Sequence, residues 1–228
     1  MTYRRGGEPG VQKPREVFLR ACEQIASACS PSGFRYLTGK HQLTREAGAF
    51  RHLIELGSDF RNQAASHLRL NIAHPVCCPA LGAWRSKQAH PLRLNDYVCG
   101  GGITGRWNLI EPGAVGAAIR HVHEVALPYQ GRFTDREAVL FDILDGTVQD
   151  VGIDSQVEYA LCFGGREMAE RVFGRCVADH ADLGAAVQEH VELLRRDGFP
   201  RWAWNGWVDL IARVHVGYGL RLDGVPLD

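Results

Sequence analysis

Apolar and polar residues alternate along 49–56, where Phe50, His52, Ile54 and Leu56 fall on one side and Arg51, Leu53 and Glu55 on the other. They alternate again from Ser66 to Ala73, with Leu68, Leu70 and Ile72 set against His67, Arg69 and Asn71. A period of two with one apolar side predicts two strands of a sheet that has one buried and one partly wet face. The connector Ser58-Asp59-Phe60-Arg61-Asn62-Gln63 is too polar for a core and rich in side chains that hydrogen-bond their own backbone. Pro79 suits the first position of a short helix bearing Leu81 and a buried aromatic, Trp84.

Upstream, Phe18, Ala21, Cys22, Ile25, Ala28 and Cys29 form one helical stripe, so the spacing predicts a helix over Pro14 to Cys29, stopped by Ser30-Pro31-Ser32-Gly33. Residues 34–37 and 42–45 read as a hairpin around Thr38-Gly39-Lys40. Further on, Tyr97 to Ile103 and Trp107 to Ile110 read as strand, so Gly100-Gly101-Gly102 marks a bulge or bend and not a phosphate-cradling loop, which would open a helix. Beyond Pro112 the period becomes helical. One stripe runs from Val115 to Ala126 and is ended by Pro128; a capping box at Thr134-Asp135-Arg136-Glu137 launches the next helix; others run through 168–176, 183–194 and 207–214.

Strands first and helices afterwards indicate an α+β fold: an N-terminal helix packed on a mainly antiparallel sheet, followed by a helical C-terminal half. The organisation expected is a flexible N-terminus at 1–13, an α+β sheet domain at 14–133 and a helical region at 134–228 packed on it.

Charge changes this picture more than composition, which is ordinary at 45% hydrophobic and 23% charged residues. Net charge is zero, yet residues 1–95 hold 14 Lys+Arg against 6 Asp+Glu, and residues 96–228 hold 12 against 20. A basic first part suits an anionic partner such as nucleic acid, a phosphate-bearing ligand or an acidic protein; complementary docking of the two parts, or of two copies, is the plainer account. The seven cysteines show no CxxC spacing and sit mostly in apolar stretches, as reduced core residues in a reducing compartment do. Residues 1–9 have no apolar stretch and no run is long enough to span a bilayer, so a cytoplasmic location is expected.

The Ser-Gly-Phe turn at 32–34, Arg45, the 58–62 connector, Leu81-Gly82-Ala83-Trp84-Arg85, Trp107-Asn108-Leu109 and Ala126-Leu127-Pro128 occur in an order that resembles an uncharacterised bacterial group, the DUF4304-type proteins. The resemblance covers roughly residues 15–133, implies a helix preceding a sheet, and brings no catalytic residues with it.

No GxxxxGK[ST], HExxH or GxSxG motif is present, and the lysines at 13, 40 and 87 supply no Glu-x-Lys pair. His67, His74, Cys77, Cys78 and Cys99 offer zinc-type donors, but adjacent Cys77 and Cys78 point apart and the spacing is not that of a zinc site, so no metal and no cofactor are assigned. His121 and His123 fall on a helix, where i and i+2 do not share a face. The wet sheet face is the better candidate: Arg51, His67, Arg69 and Asn71, with Arg45 and Asn62, would gather guanidinium and amide donors suited to phosphate or carboxylate. Trp202, Trp204 and Trp207, like Trp84, read as core or interface aromatics.

These features favour a non-catalytic cytoplasmic binding module with a basic sheet surface for an anionic ligand or protein, without membrane contact and with nucleic acid left open. The alternatives are an enzyme acting on a nucleotide or nucleic acid with His52 or His67 as acid or base, and a structural homodimer.

Overall fold

The structure, a computed structural model, describes residues 13–59, 67–148, 151–199 and 206–222. The chain is α+β, with an N-terminal helix, an antiparallel sheet of seven strands among the described residues and a helical C-terminal half. It forms two compact units that interleave along the sequence: Met1–Ala47, His52–Pro75 and Gly100–Arg132 make the first, and Gly48–Arg51, Val76–Cys99 and Phe133–Asp228 the second. Among the described residues no helix is long and apolar enough to cross a membrane.

In the first unit, α1 (Pro14–Cys29) begins on Pro14, whose missing N–H costs nothing in a first helical turn. The strands follow in the spatial order β1 (Arg35–Leu37), β2 (Gln42–Ala47), β3 (Phe50–Ser58), β4 (Arg69–Ala73) and, last, the strand Ile103–Asn108. The alternation in β3 and β4 does what it predicts. Ile54, Leu56, Leu70 and Ile72 are buried with Phe18, Cys22, Ile25 and Cys29 of α1 and Leu43 of β2, each contributing about 1.5–3 kcal/mol by leaving water. α3 (Ala114–His121) adds Ala118 to the same core.

The helical stripe does not stop at Pro128. A π-helical turn, Val122–Ala126, leads directly into α4 (Leu127–Gly131) with Pro128 in its first turn. A change from i→i+5 to i→i+4 bonding leaves an amide without an acceptor, and a proline has no amide to lose.

In the second unit β5 (Val76–Cys77) pairs with β6 (Tyr97–Cys99), and α2 (Pro79–Arg85) lies between them in sequence. Gly100, the first residue back in the first unit, turns the chain at φ +73, where a Cβ would meet the His74 carbonyl oxygen at 2.5 Å, and β7 (Ile103–Asn108) of that unit follows. The triple glycine is a bend in a sheet. α5 (Arg136–Asp145) is capped by Asp135, whose carboxylate accepts from the amides of Glu137 and Ala138; the cap is therefore one residue later than the predicted Thr134. α6 (Ile153–Phe163), absent from the sequence reading, is the hub of the unit and touches α2, α5, β6, α7 (Arg166–Ala178) and α9 (Trp207–Tyr218). α8 (Gly184–Asp197) packs on α9.

Candidate functional site

Strand register decides which of the predicted site residues share a surface. Gly57 of β3, Asn71 of β4 and Arg106 of β7 stand directly opposite one another, and Arg69 stands opposite Asn108. Directly paired residues lie on the same face of a sheet, so these side chains, with His67 two positions before Arg69, line the outer face of the first unit. That face is buried at Leu53 and Ala73 and opens toward Gly57, where no side chain fills the row. Asn71 and Asn108 are half-buried there and Arg106 is exposed.

The charges on this face are not equivalent. The Arg69 guanidinium lies 3.4 Å from Asp59, and Gln42 donates to Glu55 at 3.1 Å. Arg106 has no ion-pair partner among the described residues, and the Asn71 Oδ1 finds no hydrogen-bond donor there although it is buried. The result is a polar row on one sheet face that carries a guanidinium, an amide and an imidazole.

Three predicted members lie elsewhere. Arg45 is on the inner face: its Nη2 donates to His52 Nδ1 at 3.0 Å, its Nη1 donates to the Ser32 carbonyl at 3.1 Å, and its guanidinium lies 4.7 Å over the Phe34 ring. It fixes the turn after α1, and burial holds its pKa below the ordinary arginine range. Arg51 belongs to the second unit, where it holds Asp96 at 2.6 Å. Asn62, with Trp202 and Trp204, lies outside the described residues. Trp207 is not core: it is 47% exposed, with its ring 4.2 Å from that of His180. Trp84 is half-buried against Tyr218, and the fully buried residue at the end of α2 is its neighbour Arg85.

No family model, curated protein or solved structure matches the chain.

His52 is fully buried with its Nδ1 accepting from Arg45, which removes it as an acid or base for any substrate. No cysteine is in a disulfide among the described residues, and burial pushes the Cys77 thiol up to about 12 and those of Cys22, Cys29, Cys162 and Cys176 up to about 11, so these five are unreactive at neutral pH. Among the described residues no three His, Cys, Asp or Glu side chains converge as a metal would need.

Sequence reasoning weighs His74 only as a zinc-type donor and His121 only as half of an HxH pair, whereas the two rings lie 6.3 Å apart. Burial lowers both pKa values from 6.5, and for His74 the neighbouring His121 lowers it further. As pH falls through 6.5 the unfolded chain takes up protons that the folded chain refuses, so stability is lost between that point and the depressed folded pKa values. Urea unfolding at pH 7.5 and 5.5 is expected to show a smaller acid loss in His74→Gln than in the natural chain; an equal loss in both would show that His74 contributes none of it.

Proposed function

We propose that the protein is a cytoplasmic binding module that takes an anionic group of a partner on the outer sheet face of its first unit, around Gly57. The register row Gly57, Asn71, Arg106 carries this reading. It places a guanidinium with no ion-pair partner among the described residues beside a position with no side chain, and Arg69 and His67 follow on the same face. An exposed guanidinium beside amide groups suits a carboxylate or phosphate. The charge asymmetry follows the units, with 13 Lys+Arg against 8 Asp+Glu in the first and 13 against 18 in the second. Cysteines outside any disulfide suit a reducing compartment. The resemblance of residues 15–133 to DUF4304-type proteins fits such a module and supplies no catalytic residue.

Heparin, a polyanion, is the probe. Arg106→Glu and Arg69→Gln together are expected to elute from a heparin column at clearly lower salt than the natural chain. A control with Lys87→Glu and Arg171→Gln, which carries the same charge change on exposed residues of the second unit, is expected to move little. Equal shifts in the two variants would show that only net charge matters and would overturn the assignment.

A further inference from the structure

We propose that Thr104 is a nucleophilic site, with His74 as its general base, that accepts an acyl group from an activated ester or thioester. Thr104 sits at a β-bulge and turns away from the binding face. Ile72 of β4 pairs with Gly105 and Ala73 pairs with Ile103, so Thr104 is the extra residue on β7. Strand alternation alone would send its side chain to the outer face with Arg106 and Asn108. The bulge instead turns Oγ1 toward His74 and toward His121 on α3, as bulges do where a side chain is re-aimed.

The Oγ1 lies 2.9 Å from His74 Nδ1 and 3.2 Å from His121 Nε2. The Ile72 carbonyl, at 3.3 Å, is beyond the usual range of an O–H···O bond. In the tautomer that leaves Nδ1 bare, His74 is the nearest acceptor for the hydroxyl proton. In the tautomer protonated at Nε2, His121 donates to the same oxygen and holds the hydroxyl in its orientation. This is the nucleophile and base within hydrogen-bond reach that covalent catalysis requires.

The surroundings hold the base and leave the nucleophile open. His74 is 5% exposed, with the Tyr129 ring edge-on at 5.1 Å, and Trp107 lies 5.1 Å from His121. Burial keeps both imidazoles neutral near pH 7, the form that accepts a proton. Thr104 is exposed, and Gly102, two residues before it, has open space where a side chain would be. In the step, the Thr104 oxygen forms a bond to the acyl carbon, the bond from that carbon to the leaving oxygen or sulfur breaks, and the hydroxyl proton passes to His74 Nδ1 and from there to the leaving group or water.

The test uses the full chain and p-nitrophenyl acetate at pH 7.5, with peptide mass spectrometry to locate the acetyl group. Release of about one nitrophenolate per chain is expected as the ester that forms accumulates on Thr104. Thr104→Val should lose the adduct, Thr104→Ser should keep it, and His74→Gln, confirmed folded by its urea midpoint, should slow its formation about 100-fold or more. Labelling of Lys13, Lys40 or Lys87 with Thr104 unlabelled would overturn the proposal, as would labelling of Thr104 at the natural rate in His74→Gln.

Discussion

Replacing Arg85 with leucine is expected to lower the unfolding free energy by about 3–5 kcal/mol, the cost of leaving one member of a buried ion pair alone. Arg85 is 1% exposed and Glu158 0%. The guanidinium donates from Nε to Glu158 Oε2 at 2.6 Å, from Nη1 to the carbonyls of Asn95 and Tyr97 at 2.9 and 2.7 Å, and from Nη2 to Ser155 Oγ at 3.3 Å. Glu158 Oε1 accepts from the Leu92 amide and from the Tyr218 hydroxyl, each at 2.6 Å. Burial, with the carboxylate next to it, pushes the Tyr218 phenol far above its ordinary pKa, so it remains a donor. Removing the arginine takes the counter-ion from a buried carboxylate and a donor from each of two backbone carbonyls together, and lysine would not repair this, because one ammonium cannot spread over acceptors that a planar fork reaches. Urea unfolding of R85L, E158L and the double variant checks the coupling: the double variant should cost less than the two singles combined, by about 0.5–3 kcal/mol. Strict additivity would mean that the pair does not act as a unit.

The same pair explains what the sequence hides. Where burial follows hydrophobicity, period and face are readable: α1 spans the predicted residues, and β3 and β4 bury the apolar side of their alternation. α6 breaks that rule, since Asp154, Ser155 and Glu158 are as buried as Val157 and Ala160, and a stripe of mixed polarity has no apolar period to detect. Arg85 is passed over beside Trp84 for the same reason, because arginine is almost never fully buried unless paired and its partner is 73 residues away. The site divides likewise. Strand parity placed His67, Arg69 and Asn71 on one face, but Arg106 joins them through a pairing between β4 and β7 that short-range pattern does not show. Arg45 left the set because its parity in β2 is that of Leu43, on the inner face, and a cation over Phe34 is tolerated there. Thr104 was invisible, since a bulge reverses parity at the residue where it occurs.

Phe50→Ala is expected to cost about 3–5 kcal/mol, as large as the loss at Arg85 but for the opposite reason, the creation of a cavity. Phe50, His52, Ile54 and Leu56 lie on one side of β3 and are all buried, yet they serve different cores. Ile54 and Leu56 join the cluster built on α1, whereas Phe50 belongs to the second unit, stacked on Tyr159 at 6.4 Å and edge-on to Phe133 at 6.2 Å. The Tyr159 ring is itself held, through its hydroxyl on the Arg136 carbonyl at 3.1 Å, so it cannot easily collapse into the space left by the phenyl ring. The spread of cavity costs is set by how far a site collapses, which places this position toward the upper end of its range. Phe50→Leu keeps most of the volume and should lose much less, about 1 kcal/mol more or less as repacking allows. Urea unfolding followed by near-ultraviolet circular dichroism checks both. A loss in F50A no larger than that in F50L would mean that Phe133 and Tyr159 close the gap on their own, and that the aromatic cluster is not what fastens the start of β3 to the second unit.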